Sequence, residues 1–165
     1  MRFFRWLTGR WRRAPAPVPV RRSDDDEILA SLNQLQSAAA GKVPDMVTAR
    51  IDRVATVVRE TVPRLENLGP GSLTAHNVLR TATSYMPEAV TAYMRLPRSF
   101  ADHRPVSNGK TSLTVLCDQL DLLGSKMDDV FDAVCRADAD ALVAHGRFLA
   151  EKFGSGALAL DPRLR

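Results

Sequence analysis

Between Thr111 and Phe153 the apolar positions fall into a seam. Leu113, Leu116, Leu120, Leu123, Met127, Val130 and Val134 recur at alternating spacings of three and four. That rhythm predicts a helix laid lengthwise against others for about three heptads. At ~1.5 Å of rise per residue, Ser112 to Arg136 would span roughly 37 Å. The heptad weakens near Ala137–Asp140. Asp138 is placed there to cap a separate segment running to Phe153, so the stretch reads as one long helix or a helix pair, with Gly154 as its stop.

The upstream chain carries the same period in shorter pieces. Ser23 with Asp26 forms a capping box, and Asp24, Asp25 and Glu27 complement a helix start. Ile28, Leu32, Leu35 and Ala39 then make an apolar stripe that Gly41 ends. Pro44 suits the first position of a second helix. Its stripe is Val47, Ile51, Val54, Val58, Val62 and Leu65, which leaves Arg50, Arg53, Arg59 and Glu60 for solvent. Pro63 should kink or restart this helix, and Gly69-Pro70-Gly71 breaks it. Ser72 is positioned to cap a third helix with Leu73, Val78, Leu79 and Tyr85. Pro87 interrupts that helix, and Val90, Tyr93 and Met94 continue it to Pro97. Arg98 to Lys110 reads as an irregular connection containing Pro105 and the turn pair Asn108-Gly109.

No stretch alternates as a strand does. The expected fold is therefore all-α: a helical bundle with proline-kinked helices and one long C-terminal helix or helix pair, preceded by a basic arm. Its divisions are an arm and proline-rich linker over 1–22, a bundle domain over 23–154 and a loose tail over 155–165.

Composition changes this picture at one place. Of the 23 Lys and Arg residues, seven arginines lie within the first 22 positions, which hold no acid; the rest of the chain carries 16 basic against 19 acidic side chains. The sequence pI of about 9.5 thus belongs to the arm and not to the body. On a helical wheel Phe3, Phe4, Trp6, Leu7 and Trp11 share one face, and Arg2, Arg5, Arg12 and Arg13 gather opposite, with Arg10 intruding on the apolar side. Aromatics opposed to arginines describe a helix that lies in a membrane interface. So short a helix is not stable alone in water, so its folding would be coupled to binding. Other readings are a solvated arm or one docked on its own bundle. Ala14 to Val20 alternates proline with small or β-branched residues, a polyproline spacer of roughly 20 Å.

Cys117 and Cys135 are the only cysteines. Five helical turns would hold them about 27 Å apart, so they read as free thiols suited to a reducing cytoplasm. No run approaches the roughly 18 apolar residues of a membrane span. The short Phe3–Leu7 cluster and the Arg12-Arg13 pair lack the apolar core of an export signal, and the N-terminus is expected to be retained.

Candidate chemistry is sparse. Gly109-Lys110-Thr111 ends like a phosphate-binding loop, but Arg104 stands where the first glycine belongs and no apolar strand precedes it. His76, His103 and His145 share no ligand spacing with Cys, Asp or Glu. Asp128, Asp129 and Asp132 fit a solvated helix face, and metal ligands converging across the bundle remain an open alternative. No nucleophile elbow, no cysteine beside a candidate base and no carboxylate pair with identifiable surroundings is present. No catalytic residue, cofactor or metal is assigned.

Tyr85-Met86-Pro87, followed by Ala89, Val90 and Tyr93, then a linker and long amphipathic helices, resembles the XpaC-like family over roughly Leu73–Phe153. That family is named for 5-bromo-4-chloroindolyl phosphate hydrolysis, and Met86 replaces the leucine expected in its tyrosine–leucine–proline step. The family's name implies a hydrolase. Its members resemble helical accessory proteins associated with membranes and toxic-anion resistance.

Together these features lead to the expectation of a non-catalytic bacterial interaction protein, peripheral on the cytoplasmic face of the inner membrane. The arm residues Arg2, Phe3, Phe4, Arg5, Trp6, Leu7, Trp11, Arg12 and Arg13 would hold an anionic membrane surface. The bundle would bind another helical protein or form a homodimer. The alternatives are a phosphate-ester hydrolase of the XpaC-like kind and a nucleic-acid-associated protein using the basic arm.

Overall fold

The computed structural model describes residues 22–68 and 72–154, and the fold is an all-α bundle. Helix α1 (Arg22–Ala39) is already under way at Arg22, one residue before the expected cap at Ser23. It stops where Gly41 takes φ +68°, a left-handed conformation that favours glycine. Pro44 precedes helix α2 (Asp45–Thr61), and its carbonyl accepts from the amides of Val47 and Thr48 at 2.9 and 3.1 Å. Proline serves there because a helix start has no use for its missing N–H. Around Pro63 the helix tightens instead of breaking, continuing as a 3-10 segment over Val62–Leu68.

The third long element is a single bent rod. Helix α3 (Leu73–Arg80) passes into one π-type turn over Thr81–Tyr85 and then into α4 (Met86–Met94). Pro87 supplies the cause. It has no amide hydrogen to donate backward, and the neighbouring Met86 amide reaches five residues back to the Thr81 carbonyl. Ser72 caps this rod by accepting from the Ala75 amide.

The connection expected to be irregular is built from a one-turn helix α5 (Arg98–Ala101) and a small antiparallel hairpin. Its strands are β1 (Pro105–Ser107) and β2 (Lys110–Thr111). Asn108 and Gly109 both take positive φ, 47° and 76°, the backbone that a two-residue hairpin turn demands. Two short strands with exposed side chains leave no alternating apolar pattern to read.

Helix α6 (Ser112–Gly154) then runs unbroken for 43 residues, about 65 Å. Thr111 caps it, its hydroxyl accepting from the Thr114 amide at 3.2 Å. Asp138 does not start a new helix. Its carboxylate lies 3.8 Å from the Arg64 guanidinium and so serves a cross-helix pair within a continuous rod.

Cross-links set the course of the chain. Arg59 donates to Asn33, and Gln36 donates to Asp52, so α1 and α2 lie antiparallel. Arg50 meets Asp121, Arg53 meets Asp128 and Arg64 meets Asp138, so α2 and α6 run in the same direction. Arg98 reaches the Lys42 carbonyl, bringing the end of the bent rod to the α1–α2 turn. The four long elements thus alternate up and down. Their core is aliphatic: Ile28, Leu32, Ile51, Met86, Leu116 and Leu120 are among its largest fully buried side chains. Among the described residues, no buried side-chain nitrogen or oxygen lacks a hydrogen-bond partner.

Candidate interaction surfaces

The residues expected to hold a membrane, Arg2, Phe3, Phe4, Arg5, Trp6, Leu7, Trp11, Arg12 and Arg13, lie outside the described residues. The seam of α6 lies within them. Leu116, Leu120, Met127 and Val134 are buried, and Leu113, Leu123 and Val130 are half-buried against the same core. Gly124 belongs to this face too, directly over Val54 of α2. At that point the two helices pack through a residue with no side chain.

The expectation that Arg50, Arg53 and Arg59 face only solvent needs correction. The Arg50 Nε donates to both carboxylate oxygens of Asp121 at 3.0 and 3.1 Å, and Arg53 donates to Asp128 at 2.6 Å. Arg59 reaches across to Asn33 and Gln36 of α1. Each guanidinium thus finds an acid or amide on the facing helix. These exposed pairs fix register more than they add stability. Hydrogen bonding to Asp121 holds the Arg50 guanidinium above its ordinary pKa.

A second polar cluster pins the hairpin end of the bundle. The buried Tyr93 hydroxyl donates to Asp102 at 2.6 Å, and Asp102 also accepts from Arg98 at 3.0 Å. Burial, reinforced by the Asp102 hydrogen bond, pushes the Tyr93 phenol up to about 12. The Tyr93 hydrogen bond, followed by Arg98, holds the Asp102 carboxyl below its usual range. Every member of this cluster is satisfied within the fold, which makes it a structural clamp.

The remaining candidate groups stay apart. Lys110, from the sequence that ends like a phosphate loop, is held by Asp118 at 2.6 Å and sits in the hairpin. Asp128 is taken by Arg53 and Asp129 by Lys126. His145 stacks near Phe148 at a ring separation of 6.3 Å. Among the described residues no three His, Cys, Asp or Glu side chains converge as metal ligands. Both cysteines are free thiols; Cys117 is buried, and that burial raises its pKa.

Among the described residues, two surfaces gather neighbouring apolar groups in solvent, apart from single exposed side chains such as Leu73 and Met46. One is an open groove of about 360 Å³ between α4 and α6, floored by Ala89, Ala92 and Leu123 and edged by Tyr85, Glu88 and Leu122. The Arg80 guanidinium lies 5.4 Å from the centre of the Tyr85 ring and partly covers it. Of the Tyr85-Met86-Pro87 step, Tyr85 edges this groove where the π-type turn meets α4, and Met86 is fully buried in the core.

The other surface is the end of α6. Among the described residues the partners that cover its seam end at Leu68, and every described residue from Arg136 onward is exposed. Leu142 is 72% exposed and Phe153 65%, with Val143, Phe148 and Leu149 exposed beside them. Proteins in water rarely leave so many large apolar side chains exposed along one helical run. In the sequence the first heptad phase fades at this point. The signal was present one residue later: from Cys135 the spacing resumes as Ala139, Leu142, Gly146, Leu149 and Phe153. A phase slip of this kind is what a straight helix of 3.6 residues per turn produces as its buried face rotates. Among the described residues no helix is long and apolar enough to cross a membrane.

Compared with family models, curated proteins and solved structures, the chain matches none of them.

Proposed function

We propose that this chain is a non-catalytic helical-bundle interaction protein, peripheral on the cytoplasmic face of the inner membrane. Its arginine- and aromatic-rich N-terminal segment would contact anionic lipid, and the projecting end of α6 would bind another helix. The observation that carries this reading is the solvent-exposed apolar face of α6 beyond the bundle, with Leu142 at 72% and Phe153 at 65% exposure. A second observation supports it. Antiparallel pairing of α1 with α2 puts Arg22, where the arm joins, at the end of the bundle where Leu68 ends and α6 begins to project. A membrane-held arm and an outstretched helix would thus work from one end of the molecule.

The test separates lipid from nucleic acid. Aromatic anchors lose apolar area to the bilayer, whereas arginines alone give a salt-sensitive attraction to any polyanion. Trp6→Ala combined with Trp11→Ala, with every arginine kept, should abolish most flotation with anionic vesicles. Binding of intact protein to DNA but not to vesicles, unchanged in the double variant, would overturn the membrane reading.

A further inference from the structure

The exposed end of α6 carries a pattern that fits itself. Cys135, half-buried at the edge of the bundle, and the exposed Ala139, Leu142, Gly146, Leu149 and Phe153 are spaced 4, 3, 4, 3 and 4, a continuous heptad seam on one face of the helix as it leaves the bundle. If two such helices run in opposite directions, centred near Ala144, each layer joins a large residue to a small one. Phe153 meets Cys135, Leu149 meets Ala139 and Leu142 meets Gly146, and each layer occurs twice by symmetry. A parallel pairing would instead set Leu142 against Leu142 and Gly146 against Gly146, giving crowded layers beside empty ones.

Charge agrees with the antiparallel choice. The flanking position before Ala139 is Asp138, and the equivalent position before Phe153 is Lys152. Opposed helices bring Asp138 of one chain level with Lys152 of the other, at the edge where Arg64 already lies 3.8 Å from Asp138. On the other flank Val143, which is exposed, would face its own copy across the twofold axis. Gly146 has no atom within 4 Å of the place a Cβ would occupy, so nothing in its own chain fills the space that an incoming leucine needs.

We infer that the projecting end of α6 pairs antiparallel with the same segment of a second copy of this chain. Cys135 to Phe153 supplies about 28 Å of helix for this contact. The pairing is isologous, so it closes at two copies and places one bundle at each end of the shared helix pair. It rests on the reading of this surface as an interaction site and names the occupant.

The experiment is sedimentation equilibrium on the full chain without lipid, with chemical cross-linking to read direction. Wild type should show a monomer–dimer equilibrium. Leu142→Lys combined with Leu149→Lys should weaken it by at least about 100-fold, each buried leucine being worth on the order of tenfold. Both leucines are exposed in the single chain, so the circular dichroism of the variant should be unchanged. In a Cys135→Ala background, Val143→Cys should cross-link to its own copy with a short bismaleimide, and Leu142→Cys should do so far more slowly. A monomer at every concentration, a dimer indifferent to the two lysines, or preferential self-cross-linking through position 142 would each overturn the inference. So would a monomer whose vesicle flotation depends on Leu142 and Leu149, which would assign this face to lipid. Flotation of the Trp6/Trp11 variant reads the arm separately, so either proposal can fail without the other.

Discussion

Gly124 offers a sharp test of how α2 and α6 meet. It is the thirteenth residue of a 43-residue helix and lies buried in its interior, where glycine is a poor choice on backbone grounds. Replacing an interior helical glycine by alanine stabilises a helix by up to about 1 kcal/mol, chiefly by reducing unfolded-chain freedom. Whether that gain survives depends on space. A Cβ on Gly124 would stand 3.6 Å from Val54 Cγ2 and 3.9 Å from the Arg53 guanidinium carbon, ordinary van der Waals separations. The added methyl therefore fills a seam without displacing it, and Gly124→Ala should stabilise the protein by about 0.5–1.5 kcal/mol. In urea unfolding followed by helical circular dichroism, with a slope near 2 kcal/mol per molar, the midpoint should rise by about 0.3–0.7 M. The slope itself should not change. Gly124→Leu should do the opposite, because atoms beyond Cβ must enter the volume held by Val54, and overpacking costs about 1–3 kcal/mol. A fall in the midpoint for the alanine variant would refute the spacing of the two helices given above.

Two further perturbations probe other parts of the fold. Leu120 is buried within the α6 seam, and Leu120→Ala should cost about 2–5 kcal/mol in the same urea assay; a change below about 0.5 kcal/mol would mean that this face does not form the core. Tyr93 is an acid whose folded pKa is raised to about 12 against an ordinary value near 10, so the fold favours its neutral form. Its contribution is complete below pH 10 and is lost as pH rises from about 10 through 12. Thermal melts across that range should show a steeper loss of stability in wild type than in Tyr93→Phe, and parallel curves would count against the Tyr93–Asp102 clamp.

Much of the architecture is legible in the sequence because helical order is local. The stripes Ile28–Ala39, Val47–Leu65 and Leu113–Val134 depend on neighbours three and four positions away, and the breaks at Gly41 and at Asn108-Gly109 depend on residues that tolerate positive φ. Two other features are equally local: the concentration of seven arginines within the first 22 positions, and the distance between Cys117 and Cys135 along one rod.

What only the tertiary structure decided are matters of register and of where cover ends. Arg50 and Asp121 are 71 positions apart, and nothing local to either states that they meet. The same holds for Tyr93, Asp102 and Arg98 closing on the Lys42 carbonyl. Asp138 looked like a cap because caps and cross-helix acids use the same side chain, and the deciding partner, Arg64, arrives from another helix. The exposed end of α6 is the clearest case. Leu142 and Phe153 repeat with a core-like period, and period alone predicts burial. They stand in solvent because the helices beside them are shorter and stop first, and length relative to a neighbour is a property of the assembled bundle.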